Sequence, residues 1–267
     1  DLNSGLPMDR LICGDVGFGK TEIALRGAFN VAMSGAQVAF IVPTTLLCSQ
    51  HYENFTKRFK NFPLKVDQIS RLNSTSENNK IIERINSGES DVVVGTHALL
   101  NSKIKFKKLG MLIIDEEQHF GVSQKEKIKS LRSNVHVLAL TATPIPRTLQ
   151  MSLVGLRDLS IISTAPLNRQ NINTEVIDFN DEKIISAIEY ELSRNGQVYY
   201  VCPRINELKE VEDFLKSKLP NVKYQIAHGQ MPSKNLKNTM IDFYNNEFQL
   251  LLCTTIVESG RDLQKTN

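Results

Sequence analysis

Residues Gly14-Asp15-Val16-Gly17-Phe18-Gly19-Lys20-Thr21 follow the pattern G-x-x-x-x-G-K-T. They sit between an apolar strand signal, Leu11-Ile12-Cys13, and an amphipathic run from Glu22 to about Gly35. Few sequence features constrain a fold as tightly. A strand must deliver the chain to a loop whose glycines let successive N–H groups face one point, and a helix must leave it with its positive end on the same point. Such a loop cradles phosphate. Gly14 to Thr21, with Glu22 at the helix start, form the nucleotide-binding set; Lys20 is expected to reach the β- and γ-phosphates of ATP, and the Thr21 hydroxyl to ligate Mg²⁺.

The chain has 267 residues, enough for two domains with full cores. With 41% hydrophobic and 23% charged residues it reads as an ordinary globular protein, and no apolar run approaches the ~20 residues of a membrane span. No signal peptide precedes the first strand, so a cytoplasmic protein without membrane partners is expected. The four cysteines, Cys13, Cys48, Cys202 and Cys253, are far apart and lack metal-site spacing, so they read as small buried residues of a reducing compartment. Residues 1–165 hold 20 Lys and Arg against 15 Asp and Glu, whereas 166–267 hold 12 against 14. That asymmetry permits nucleic-acid binding without demanding it.

Strand and helix signals alternate along the chain. Strands are expected at Gln37–Val42, Leu64–Ile69, Asp91–Val94, Met111–Ile114 and Val135–Leu140, with helices over 46–59 and 76–85. The pattern breaks near Ala165-Pro166 and restarts with strands at 174–177, 197–202, 222–227 and 248–253 and helices at 181–194, 207–219 and 233–245. Strands that are nearly all apolar and alternate with helices imply mainly parallel sheets covered on both faces. The expected architecture is α/β with a first domain over 1–165, a linker over 166–173 and a second, partial domain over 174–267.

In such sheets ligands gather at the carboxyl ends of the strands. Asp115, after four apolar residues, fits the acid that holds Mg²⁺ through water, and Glu116 the residue that orients or deprotonates the attacking water. Glu117 and Gln118 extend the run, and a solvated turn accounts for Glu117 equally well. Thr44, Thr45, Thr96, Thr254 and Thr255, each just past a strand, can hydrogen-bond a nucleic-acid backbone without reading sequence, although each is also an ordinary helix cap. Lys103, Lys105, Lys107 and Lys108 read as a solvated loop, with a phosphate-facing edge as the alternative. Lys125, Lys127 and Lys129 read as a solvated helix face, and His51, His119 and His136 as packing residues.

These residues, in this order, resemble the motifs of superfamily 2 helicases: Gly14–Thr21 motif I, Pro43–Leu47 motif Ia, Gly95-Thr96-His97 motif Ib, Asp115–Gln118 motif II, Thr141-Ala142-Thr143 motif III and Cys253–Asp262 motif V. Longer strings, among them Phe120-Gly121-Val122, Thr141–Leu149, Arg157-Asp158-Leu159-Ser160 and His228-Gly229-Gln230-Met231, resemble the bacterial transcription-repair coupling factors, with the RecG helicases next. The resemblance implies two RecA-like lobes, the second truncated here, forming an ATP-driven double-stranded DNA translocase of transcription-coupled repair in the bacterial cytoplasm and nucleoid. It implies Lys20, Thr21, Asp115 and Glu116 as the ATPase residues and Thr141 and Thr143 as the coupling between hydrolysis and lobe movement. Thr44, Thr45, Thr96, His97, His228, Thr254 and Thr255 are the expected DNA contacts. RNA polymerase and the excision-repair damage-recognition protein are expected as partners only through modules outside this chain. A RecG-like fork remodeller and a non-catalytic, nucleotide-dependent DNA-binding remnant are the alternatives. The match departs at Arg261 and Leu263-Gln264, where the family has an apolar residue and Ile-Pro. Starting at Asp1 and stopping short of motif VI and its arginine finger, the chain is expected to be a piece of a longer protein that binds Mg-ATP weakly and turns it over slowly by itself.

Overall fold

The computed structural model describes residues 1–70, 73–121, 123–124, 127–128, 135–143, 157–166 and 172–255. The chain divides into two compact units, Asp1–Arg169 and Gln170–Asn267. The first is built as β1 (Asp9–Gly14), α1 (Lys20–Met33), β2 (Gln37–Ile41), α2 (Thr45–Phe59), β3 (Val66–Ile69), α3 (Thr75–Ser87), β4 (Val92–Gly95), β5 (Leu109–Asp115), β6 (His136–Thr141) and β7 (Asp158–Ile162). Its seven strands form one sheet in the order β3-β4-β2-β5-β6-β1-β7, and every pairing is parallel. The chain steps from β1 past two places to β2 and later returns to fill them with β5 and β6.

The strand runs are apolar on both faces because both are covered. Val38, Phe40, Met111, Ile113, Leu138 and Leu140 pack with Ala24, Ala28 and Val31 of α1 and Phe55 and Phe59 of α2. Their sequence neighbours Ala39, Ile41, Leu112, Ile114 and Val137 point the other way, onto Ile81 and Ile85 of α3. This is the two-residue period of a pleated strand read from both sides. The parallel α/β architecture is therefore as expected.

Two strand assignments need correction. Asp158–Ile162 is a strand, pairing with β1 from Arg10↔Asp158 to Gly14↔Ile162. It lies at the sheet edge with every residue half-buried or exposed, so it lacks the continuous apolar signature of the inner strands. Thr174–Ile177, in contrast, is no strand. Residues 172–180 have no regular structure, and Val176 is 97% exposed. Alternation alone does not make a strand without an edge to pair with, and among the described residues none pairs there. The lysines at 103, 105, 107 and 108 are exposed on a loop whose Ile104 and Phe106 turn toward the core, in keeping with a solvated loop.

One buried ion pair ties α3 to the sheet. Asp67 of β3 accepts from the Arg84 Nε at 3.0 Å, from a second Arg84 nitrogen and from the Ser90 hydroxyl. Burial by itself raises the Asp67 pKa, but the hydrogen bonds from Arg84 and Ser90 and the Arg84 and Lys65 charges outweigh it and hold the carboxyl below its usual range. A depressed folded pKa stabilises the fold above the unfolded value of about 4, and that stabilisation is lost as pH falls through the folded value. Asp67→Asn is expected to cost about 2 kcal/mol at pH 7, less than a fully buried pair because Arg84 is 27% exposed. Urea melts of both proteins at pH 7 and pH 3 check this: the gap should shrink in acid.

The second unit contains α4 (Asp181–Ser193), β8 (Val198–Val201), α5 (Glu207–Lys218), β9 (Tyr224–Ala227), α6 (Ser233–Tyr244) and β10 (Leu250–Cys253). The strands form a parallel sheet in the order β8-β10-β9. Ile188, Leu208, Leu215, Val198, Leu250 and Leu252 build one side of its core. Phe243 of α6 packs edge-on with Tyr199 at 4.9 Å and tilted against Phe248 at 5.3 Å. All four cysteines are buried and unpaired, and burial pushes the Cys48 and Cys253 thiols up to about 12. They are packing residues, as their sequence context suggested.

Candidate active site

Strands β5, β6 and β1 lie side by side, so the segments leaving their carboxyl ends meet at one edge of the sheet. The loop after β1 turns through Gly17 (φ 79°) and Gly19 (φ 85°), left-handed conformations that a Cβ would strain. Gly19 hands the chain into α1 with no side chain capping it, whereas Thr44 and Ser74 cap α2 and α3. The Glu22 N–H donates to the Gly19 carbonyl at 3.0 Å, and no side chain caps the first turn of α1, the place where a helix can receive an anion. Lys20 is 9% exposed, and its Nζ donates to the carbonyls of Gly14 at 2.6 Å and Asp15 at 3.0 Å. The ammonium is held against the loop it is expected to serve. Asp15 accepts from the Val16 N–H at 2.7 Å, and Phe18, Thr21 and Glu22 are half-buried along the same turn. Glu22 is held by Arg26 at 2.9 Å and Arg58 at 2.7 Å.

Across the edge, Asp115 closes β5, and Glu116 follows in a left-handed conformation, φ 47°. For a non-glycine residue this costs on the order of 1 kcal/mol and needs a cause nearby. The cause is a web of bonds to the next strand end. The Glu116 N–H donates to the Leu140 carbonyl at 2.9 Å. Its carboxylate accepts from the Ala142 N–H at 2.9 Å, from the Thr141 hydroxyl at 3.4 Å and from the Gln118 amide. The Thr141 and Thr143 hydroxyls lie 2.8 Å apart, and the Thr143 N–H donates to Thr141 Oγ1 at 3.2 Å. The residues expected to bear water activation and coupling therefore form one hydrogen-bonded unit.

Two residues read from sequence as packing or left unassigned also belong here. His51, on α2, brings Nε2 to 3.4 Å from Asp115 Oδ2. Arg157 donates to Glu117 Oε2 at 3.0 Å and pairs with Asp9 at 2.7 Å, bracing the turn that carries Glu116 against β1. Only one of them left a signal. His51 shares the buried stripe of α2 with Leu47 and Phe55, four residues away on either side, where a polar side chain is out of place.

The oxygens of Thr21 and Asp115 are hard donors of the kind Mg²⁺ takes. The described residues hold no cluster of three or more His, Cys, Asp or Glu suited to a metal.

The expected nucleic-acid contacts fall in two groups. Thr44 and Thr96 follow the neighbouring strands β2 and β4 of the first unit. Thr44 Oγ1 accepts from the Leu47 N–H at 3.2 Å and Thr96 Oγ1 from the Ala98 N–H at 3.4 Å, and Thr96 is 1% exposed. Both hydroxyls are turned inward as caps; Thr45 and His97 beside them are half-buried. His228, Thr254 and Thr255 follow β9 and β10 of the second unit, with Thr254 buried and Thr255 exposed. Arg261, Asp262 and Leu263-Gln264, with Val122, Lys125, Lys129 and Pro144–Leu149, lie outside the described residues.

The DEAD/DEAH box helicase profile matches residues 3–152, more than half of the chain. The chain belongs to the DEAD/DEAH box helicase family. The helicase conserved C-terminal domain matches residues 181–267. Each unit of this helicase-family chain is accordingly RecA-like. Over its whole length it is 51% identical to the transcription-repair-coupling factor of Staphylococcus haemolyticus and 52% to that of Rickettsia prowazekii, and it spans 23% and 24% of those proteins. Among solved structures, RecG bound to a three-way DNA junction aligns with all of this chain and 36% of its own, with a TM-score of 0.78 and 32% identity. S. cerevisiae Dbp5 bound to RNA and ADP BeF3 aligns with all of this chain and 70% of its own, with a TM-score of 0.71, and at 16% identity speaks for the fold alone. Among the described residues no helix of this helicase-family chain is long and apolar enough to cross a membrane.

Proposed function

We propose that this chain carries an ATP-hydrolysing motor that moves along double-stranded DNA, working in transcription-coupled repair. The observation that carries the reading is the bond from the Ala142 N–H to Glu116. It joins the acid proposed for water activation to the segment proposed for coupling, so a change at the phosphate would reach both. Identity near 50% over the whole of this chain to transcription-repair-coupling factors supports DNA, rather than RNA, as the track.

In this reading the N–H groups of the 14–21 loop and of the start of α1 bind the phosphates of ATP. Lys20 exchanges the Gly14 and Asp15 carbonyls for phosphate oxygens. Thr21 and Asp115 would hold Mg²⁺, which when bound neutralises charge developing on the phosphates. Glu116 accepts the proton of the attacking water, and its bonds to Thr141 and Ala142 keep it oriented while it waits. Asp15, Val16, Phe18 and Glu22 shape the loop. Thr44, Thr45, Thr96, His97, His228, Thr254 and Thr255 are proposed to face the DNA backbone, through main-chain N–H groups where the hydroxyls are spent on caps. RNA polymerase and a damage-recognition protein are proposed as partners of the larger assembly.

A RecG-like fork remodeller is the second reading, favoured by the 32% identity and TM-score of 0.78 to RecG on a DNA junction. Two substrates separate them. A translocase displaces a triplex-forming strand from linear duplex in the presence of ATP, whereas a fork remodeller acts on a branched junction and leaves the linear triplex in place. Displacement from the linear triplex is the expected outcome, at a low rate set by the slow ATP turnover expected of this chain by itself.

A further inference from the structure

His51 is a buried side chain with an unusual set of partners. It is 5% exposed, and its ring stands edge-on to Phe40 at 4.7 Å. Its Nδ1 is buried with no hydrogen-bond partner among the described residues, while Nε2 faces Asp115 Oδ2 at 3.4 Å. A carboxylate only accepts, so Nε2 is the ring nitrogen that can donate to it, while Nδ1 is left unmatched. A ring placed only for packing would be better as Leu or Phe, since an imidazole here costs desolvation without a full set of bonds. What the ring gains is contact with the acid that closes β5.

The helix that carries His51 also begins at a proposed nucleic-acid contact. Thr44 caps α2, and His51 lies seven residues further on, roughly 10 Å along the axis. That stretch is well fixed. Cys48 and Phe55 are fully buried, the Cys48 thiol points at the Val94 carbonyl at 3.6 Å, and the Gln68 amide holds Ser49 at 3.2 Å. Thr44 and His51 thus belong to one continuous, well-packed helix, its cap at one end and the Asp115 contact two turns on.

We propose that His51 positions the Asp115 carboxylate, and that α2 thereby couples nucleic acid held at Thr44 and Thr45 to the metal-holding arm of the nucleotide site. The proposal rests on the reading of Asp115 as an ATPase residue. His51 is a positioning residue here, acting through Asp115 rather than touching substrate.

The test compares His51→Leu, which fills the space on Phe40 without a donor, with His51→Gln, which keeps one. Binding of a fluorescent ATP analogue is titrated with Mg²⁺, and ATP turnover is measured with and without linear duplex. His51→Leu is expected to need about tenfold more Mg²⁺ for half-maximal binding, in line with loss of a second-shell partner, and to lose its response to duplex. Binding of the analogue in EDTA should be unchanged, and His51→Gln should restore the Mg²⁺ dependence to within about twofold of wild type. Wild-type Mg²⁺ dependence in His51→Leu, or equal loss in both variants, overturns the inference while leaving the ATPase reading intact. If binding of the analogue to the wild type ignores Mg²⁺, the reading itself fails and takes the inference with it.

Discussion

Glu116→Gln is expected to leave ATP binding intact and to reduce hydrolysis by about 10²–10⁴-fold, the usual worth of a positioned general base. The substitution is informative because so little else changes. A glutamine carbonyl can still accept from the Ala142 N–H at 2.9 Å, and the side chain keeps its length, so the left-handed turn at φ 47° retains its main support. What is lost is the ability to take a proton. Single-turnover hydrolysis and equilibrium binding of a nucleotide analogue, measured on the same preparation, separate the two effects. A parallel fall in affinity would mean that Glu116 holds the loop rather than the water.

Lys20→Ala has the opposite signature. Its Nζ satisfies the Gly14 and Asp15 carbonyls at 2.6 and 3.0 Å from a side chain that is 9% exposed. Truncation therefore removes both the proposed phosphate contact and a brace of the loop. ATP affinity and turnover should fall together, turnover by on the order of 10²–10³, the cost of removing one preorganised donor to developing charge. The melting temperature should drop only modestly, because the core faces of α1 at Ala24, Ala28 and Val31 are untouched. Equal turnover in Lys20→Ala and wild type would favour the non-catalytic alternative.

The parts of this molecule that were legible in the sequence are those whose signal is local. β5 announces itself because Met111–Ile114 is apolar on both faces of a covered strand. The phosphate loop announces itself because its glycines, lysine and threonine are needed at fixed offsets from one another. Thr44 and Thr96 were also readable as caps, the more ordinary of their two readings. What stayed hidden depends on partners far away in the chain. β7 is an edge strand defined by its pairing with β1, some 150 residues earlier, and its own alternation is too weak to mark it. The segment 174–177 shows the converse, a pattern without a partner. The tie from Glu116 to Ala142, the contact of His51 with Asp115 and the bracing of Glu117 by Arg157 are all pairings across strands that only the sheet order β2-β5-β6-β1 brings together. Sequence offers the candidate residues, and the topology determines which of them lie in contact.

The claim that joins these pieces is that nucleotide chemistry at the edge of β1, β5 and β6 is tied to a duplex DNA track. It is tested most directly by steady-state ATP turnover of the wild-type protein and Glu116→Gln, each with and without linear duplex DNA. The account predicts that duplex raises wild-type turnover and that Glu116→Gln stays at background under both conditions. Turnover that is equal in the two proteins and indifferent to duplex would contradict it.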